Sequence, residues 1–179
     1  MTERSILVAG IGNIFFGDDA FGVEVAQRLA ARELPATVQV VDFGIRAFDL
    51  AYALSDDHDL AILVDAVPRD GEPGTLYVLE PDLDALDPAL ATAADAHTID
   101  PVQVLCLVKA MGGRPRRVLV VGCQPATIDV NDDGQLGLSE PVEAAVAEAV
   151  KLIESLVASA LGGERDLVPA DGIPGGSEA

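Results

Sequence analysis

The stretch Ser5-Ile6-Leu7-Val8-Ala9-Gly10-Ile11-Gly12 decides how the rest of the chain is read. Its apolar run is too short for a helix and ends in a Gly-x-Gly turn, so it reads as a buried strand entering a loop. From Ala20 the period changes to 3.6: Val23, Ala26, Leu29 and Ala30 fall on one face, with Glu24, Gln27, Arg28 and Arg32 on others. A buried strand followed by an amphipathic helix is the first half of an α/β unit.

Working outward, the alternation repeats. Thr37 to Val41 is a second strand closed by Asp42, and Ala47 to Leu54 a short helix. Leu60 to Val64 is continuously apolar and ends in Asp65, the pattern of a central strand covered on both faces. Gly74 to Leu79 follows a Pro-Arg-Asp-Gly-Glu-Pro turn too short for a parallel crossover, so this strand is expected to run antiparallel. Residues 80 to 97 are an acidic, Ala-rich connection without a clear period. Asp100-Pro101 supplies an N-cap and a first-turn proline, and Val102, Leu105 and Val108 are expected on the helix's apolar face, before Gly112-Gly113 ends it. Arg117 to Val121 is a further strand, and Asp132-Asp133-Gly134 a turn. Ser139 opens a last helix with Val142, Val146, Ala149, Ile153 and Leu156 on its buried stripe. Together these imply a three-layer α/β fold with a mostly parallel sheet in one domain, residues 1–161. A Gly/Pro-rich tail, 162–179, is expected to be disordered.

The chain has 179 residues, enough for one ordinary domain, and half of them are apolar. Eleven Lys+Arg against 30 Asp+Glu give a net charge of −19, which argues against nucleic acid and anionic membranes as partners. Cys106 and Cys123 make neither a disulfide framework nor a zinc motif. The start, Met1-Thr2-Glu3-Arg4, lacks signal-peptide character, and no apolar run approaches a membrane span. A cytoplasmic protein is expected.

In an open α/β sheet, ligands bind beyond the carboxyl ends of the strands. The loop after the first strand, with Asp18 and Asp19, lies at that end, as does Asp65. His97 precedes a helix that must start there to run back to a parallel strand, whereas His58 precedes the third strand and belongs at the opposite end. Two carboxylates and an imidazole converging on one crevice suit a divalent transition metal and leave coordination positions open. A dinucleotide site fits poorly, although Asp42 stands where a ribose-binding acid would. Phe15 occupies the third glycine position of G-x-G-x-x-G, and Asp18 and Asp19 crowd the helix start where a pyrophosphate would sit. No P-loop or G-x-S-x-G elbow is present. Cys106 reads as core, and Cys123, at a strand end, is a weak candidate nucleophile.

Gly10-Ile11-Gly12-Asn13-Ile14 followed by Gly17-Asp18-Asp19-Ala20-Phe21-Gly22-Val23 resembles the opening motif of the hydrogenase maturation proteases, the endopeptidases that trim the large subunit of nickel–iron hydrogenases. The resemblance continues through Asp42 and Gly44, Leu63-Val64-Asp65-Ala66, Gly74-Thr75, His97, and Gly122 with Pro125, over about residues 5 to 160. It implies a five-stranded mixed sheet with one antiparallel strand, and metal contacts and catalysis by Asp19, Asp65 and His97. It further implies cleavage of a C-terminal extension from a nickel-loaded large-subunit precursor, with Ni2+ supplied by the substrate and the resting protein metal-free. No further base is assigned: Asp18 and Asp42 are nearby, and a capping or structural role is expected for each. A non-proteolytic nickel-binding or nickel-chaperone module is the alternative. Two positions depart from the family pattern. Asp19 stands where many members have Glu, and Asp42-Phe43-Gly44-Ile45 replaces a frequent Asp-Gly-Gly-Thr.

Overall fold

A computed structural model of the chain describes residues 4–93, 99–126, 128 and 134–164. Five strands, β1 (Ile6–Ile11), β2 (Val38–Gly44), β3 (Leu60–Ala66), β4 (Leu76–Leu79) and β5 (Val118–Cys123), form one sheet in the order β2-β1-β3-β5-β4. All pairings are parallel except β4 with β5. The antiparallel direction of β4 follows from its short connection to β3, as the turn length required. Four helices, α1 (Phe21–Ala30), α2 (Ala47–Ser55), α3 (Pro101–Ala110) and α4 (Glu140–Gly162), cover the sheet. The expected tail begins at the end of α4, and its residues 165–179 lie outside the described residues.

The pleat divides the core in two. Ile6, Val8, Ile62 and Val64 pack with Phe21, Val25 and Leu29 of α1 and with Val142, Val146 and Ile153 of α4. Leu7, Ala9, Ala61 and Leu63 point the other way, against Leu50 and Leu54 of α2 and Val104, Leu105 and Val108 of α3. Alternate residues of fully buried strands thus feed opposite layers, which is why these strands read as unbroken apolar runs. The face of α3 differs from expectation: Val102 is 48% exposed, and Val104 takes its place in the core. Val102 lies in the first turn, at the mouth of a cavity rather than over the sheet. The acidic connection before α3 is tied down by Lys109, whose ammonium donates to the carbonyls of Leu83, Asp84 and Leu86.

The glycines of the opening motif serve packing. A Cβ on Gly22 would collide with the carbonyl oxygens of Val64 and Ile11, and one on Gly10 with that of Gly22. Helix α1 therefore lies backbone to backbone on β1 and β3. Gly12, at φ 138°, passes directly beneath the carbonyl of Asp19. This close approach seats the 3-10 turn Gly17–Ala20 over the end of β1. Gly22→Ala should lower the urea midpoint by the equivalent of about 3 kcal/mol, the upper range for overpacking. Alanine's better helix propensity acts in the opposite direction, so a raised midpoint would contradict the close-contact account.

Candidate active site

The sheet order places β2 on one side of β1 and β3 on the other, so the strand order reverses beside the ends of β1 and β3. Asp19 and Asp65 stand on either side of that point. Asp65 is the penultimate residue of β3, 3% exposed, and one of its oxygens accepts the Ala66 N–H at 2.9 Å. Asp19 is held in the 3-10 turn, 8% exposed, and accepts the Asn13 N–H at 2.7 Å. Both line a cavity of about 520 Å³ whose wall also includes Val67, Arg69, Glu80, Ile99, Asp100 and Ile128.

Neither carboxylate sits comfortably as an anion. Burial raises the Asp19 pKa above its ordinary value, against the Asn13 hydrogen bond. Asp65 is raised well above its ordinary value, first by burial and then by the charge of Asp19; the Ala66 hydrogen bond opposes this, and Asp100 adds to it. A paired set of buried, mutually repelling carboxylates is the arrangement a cation relieves.

His97, the expected third member, lies outside the described residues. The chain is described again from Ile99, which lines the same cavity. Among the described residues no group of three His, Cys, Asp or Glu side chains is placed to hold a metal.

The other candidates separate cleanly. Asp18, adjacent to Asp19 in sequence, turns the other way. It is buried, and its carboxylate accepts from Ala126 N–H at 2.8 Å, Ser139 N–H at 2.7 Å and Ser139 O–H at 2.8 Å. It latches the loop after β5 and the start of α4 onto the 3-10 turn, the structural role expected of it. Ser139 is spent on this latch and makes no side-chain cap for α4. Asp42 accepts from Gln27 at 3.3 Å and lines a separate groove with Gly12, Asn13 and Arg46. Cys123 is buried beside Asp18, and burial, then that charge, push its thiol up to about 12, so no thiolate forms near neutral pH. His58 sits at the opposite end of the sheet, bonded to Ser5 Oγ at 3.0 Å.

Asp100 was legible as a helix cap, and it does accept from Val102 N–H at 2.6 Å. Its second role, as a third negative charge at the cavity beside Asp65, had no motif to mark it. Arg69 and Glu80 had no motif to mark them. Glu80 is engaged by the Arg117 guanidinium at 2.7 and 2.9 Å.

Residues 23–156 match the model of the hydrogenase maturation protease family. The chain is 36% identical to a Methanocaldococcus jannaschii protein carrying the same family name, over 86% of this chain and 96% of that one. It is 30% identical to the hydrogenase 2 maturation protease of Escherichia coli, over 83% and 87%. Its fold matches the solved hydrogenase maturating endopeptidase HybD of E. coli with a TM-score of 0.67, at 30% identity over 89% of this chain and 94% of that one. A hydrogenase 2 maturation peptidase from a Thaumarchaeota archaeon matches at 0.65, with 33% identity over 90% and 100%. The chain belongs to the hydrogenase maturation protease family, a family of peptidases. No helix among the described residues is long and apolar enough to cross a membrane.

The raised pKa of Asp65 makes a stability prediction. The unfolded carboxylate titrates near 3.8 and the folded one well above it, so the folded state holds the proton more tightly. The stability this contributes is complete below about pH 4 and is lost as pH rises through the folded value. Asp65→Asn, which never ionises, should therefore melt higher than the parent at pH 7–8, by roughly 2–4 °C for each kcal/mol relieved. The two melting curves should converge toward pH 4. A variant less stable than the parent at pH 8 would show that the carboxylate is stabilised in place.

Proposed function

We propose that this chain is an endopeptidase that removes the C-terminal extension of a nickel-loaded hydrogenase large-subunit precursor, and that it recognises the nickel with Asp19, Asp65 and His97. The observation that carries the reading is the pair of buried carboxylates, both raised by burial and Asp65 further by the charge of Asp19, open to one cavity. Oxygen donors with an imidazole suit Ni2+, and a three-residue set leaves positions for the ligands the substrate already supplies. Membership of the peptidase family supports the reaction class, and the relatives' name as hydrogenase maturation proteases supports the substrate class.

The metal arrives with the substrate. Gripping it would fix the neighbouring scissile peptide in the cavity, turning recognition into positioning. The cost of holding Asp19 and Asp65 ionised is relieved only when the cation enters, so metal-free precursor lacks the contact that docks it. The metal supplies Lewis acidity toward a carbonyl or water. The chain's own part is to orient the peptide and hold two carboxylates in a water-poor site. Asp18 is occupied by its latch and Asp42 faces another groove, so neither serves as a base here. The purified protein should carry no stoichiometric nickel of its own.

Precursor mass, measured after incubation with the nickel-loaded and the nickel-free form, tests this directly. Only the loaded form should lose its extension, and His97→Ala and Asp65→Asn should each slow that loss by about 100-fold or more while leaving the far-ultraviolet circular dichroism unchanged. Equal processing of both forms would remove the metal-recognition reading. Nickel-dependent binding with no change in mass would identify a nickel-handling module instead.

A further inference from the structure

Asp65 and Tyr77 lie on one row of the sheet. Asp65 pairs with Gly122, and Gly122 pairs with Tyr77. Paired residues share a face, so both side chains project into the α2/α3 layer, and the Val67 side chain packs over Gly122 between them, where a Cβ would fall 2.8 Å from its methyl. Two strand spacings separate Asp65 from Tyr77, about 10 Å.

Over the Tyr77 ring lies the Arg69 guanidinium, 5.6 Å from the ring centre. The loop after β3 is shaped to hold it there. Arg69 N–H donates to Gln124 Oε1 at 2.7 Å, and the Tyr77 hydroxyl donates to the same oxygen at 3.3 Å. Gly71 passes so close to that hydroxyl that a side chain could not fit. Stacking of this kind leaves the edge of the guanidinium free to form a fork with a carboxylate. Among the described residues no carboxylate pairs with Arg69, although the chain has 30 acids, and Glu80 across the cavity is taken by Arg117. The cavity wall therefore carries both signs of charge, paired carboxylates at Asp19 and Asp65 and a braced cation at Arg69.

We infer that Arg69 is a specificity residue that binds a carboxylate of the precursor's C-terminal extension, beyond the scissile bond. A peptide bearing a metal at one end and an anion at the other fits this cavity in one direction only. The inference rests on the function proposed above, and it adds a recognition element for the part that is discarded. The carboxylate is either an acidic side chain of the extension or its terminal α-carboxylate.

The test uses the full chain and nickel-loaded precursor, with binding measured by calorimetry and cleavage by mass. Arg69→Gln should weaken binding and raise KM by about 10- to 100-fold, the range for a hydrogen-bonded charge pair, with a smaller change in kcat. Arg69→Lys should recover part of the affinity, because it keeps the charge and loses the fork. Arg32→Gln makes the same change in net charge at an exposed position after α1 and should behave as the parent does. Precursors with amides in place of acids in the extension, or with a carboxamide terminus, identify the partner: the correct one loses affinity for the parent and none for Arg69→Gln. Cleavage by the parent with unchanged binding and KM in Arg69→Gln overturns the inference and leaves the protease intact. Binding that falls with Arg69→Gln in the absence of any cleavage supports the subsite and overturns the protease. A parent that neither binds nor cleaves the precursor overturns both.

Discussion

Everything at the site depends on how closely α1 lies against β1 and β3. Gly22 rests on the carbonyls of Val64 and Ile11, and Gly12 beneath that of Asp19, at distances no side chain permits. That contact fixes the height of the 3-10 turn above the sheet. The height, in turn, brings a carboxylate from the loop after β1 beside one from the end of β3. The glycine pattern that suggests a phosphate loop is used here for proximity between backbones, and the charge it delivers is negative.

The electrostatics follow from that geometry. A net charge of −19 spread over solvated surface is unremarkable chemically, but burial converts two of those charges into an unfavourable pair. The fold sustains the pair because the surrounding apolar layers are continuous on both faces of the sheet, from Phe21 and Ile153 on one side to Leu50 and Leu105 on the other.

The layered fold and the antiparallel β4 were legible because unbroken apolar runs, helical periods and turn length each have one physical reading. Asp19 and Asp65 were legible from topology, since the ends of parallel strands converge regardless of side-chain detail. Three features were not. Asp18 and Ser139 are 121 positions apart, and no local pattern announces a bond across that span. The turn of α3 that exposes Val102 depends on where the cavity opens, which periodicity does not record. The stacking of Arg69 on Tyr77 depends on the register of β4 against β5, and a four-residue strand carries too little pattern to set it.

Asp18 and Asp19 are neighbours with opposite duties. One is bound to the loop after β5 and the start of α4, and the other faces the cavity. Both are aspartates, so side-chain chemistry does not distinguish them; only their phase along the turn does. The loop between Gly12 and Gly17 is therefore a ruler whose length cannot drift. Gaining or losing a single residue there would change which of the two carboxylates anchors the loop and which faces the cavity, leaving the composition of the motif intact.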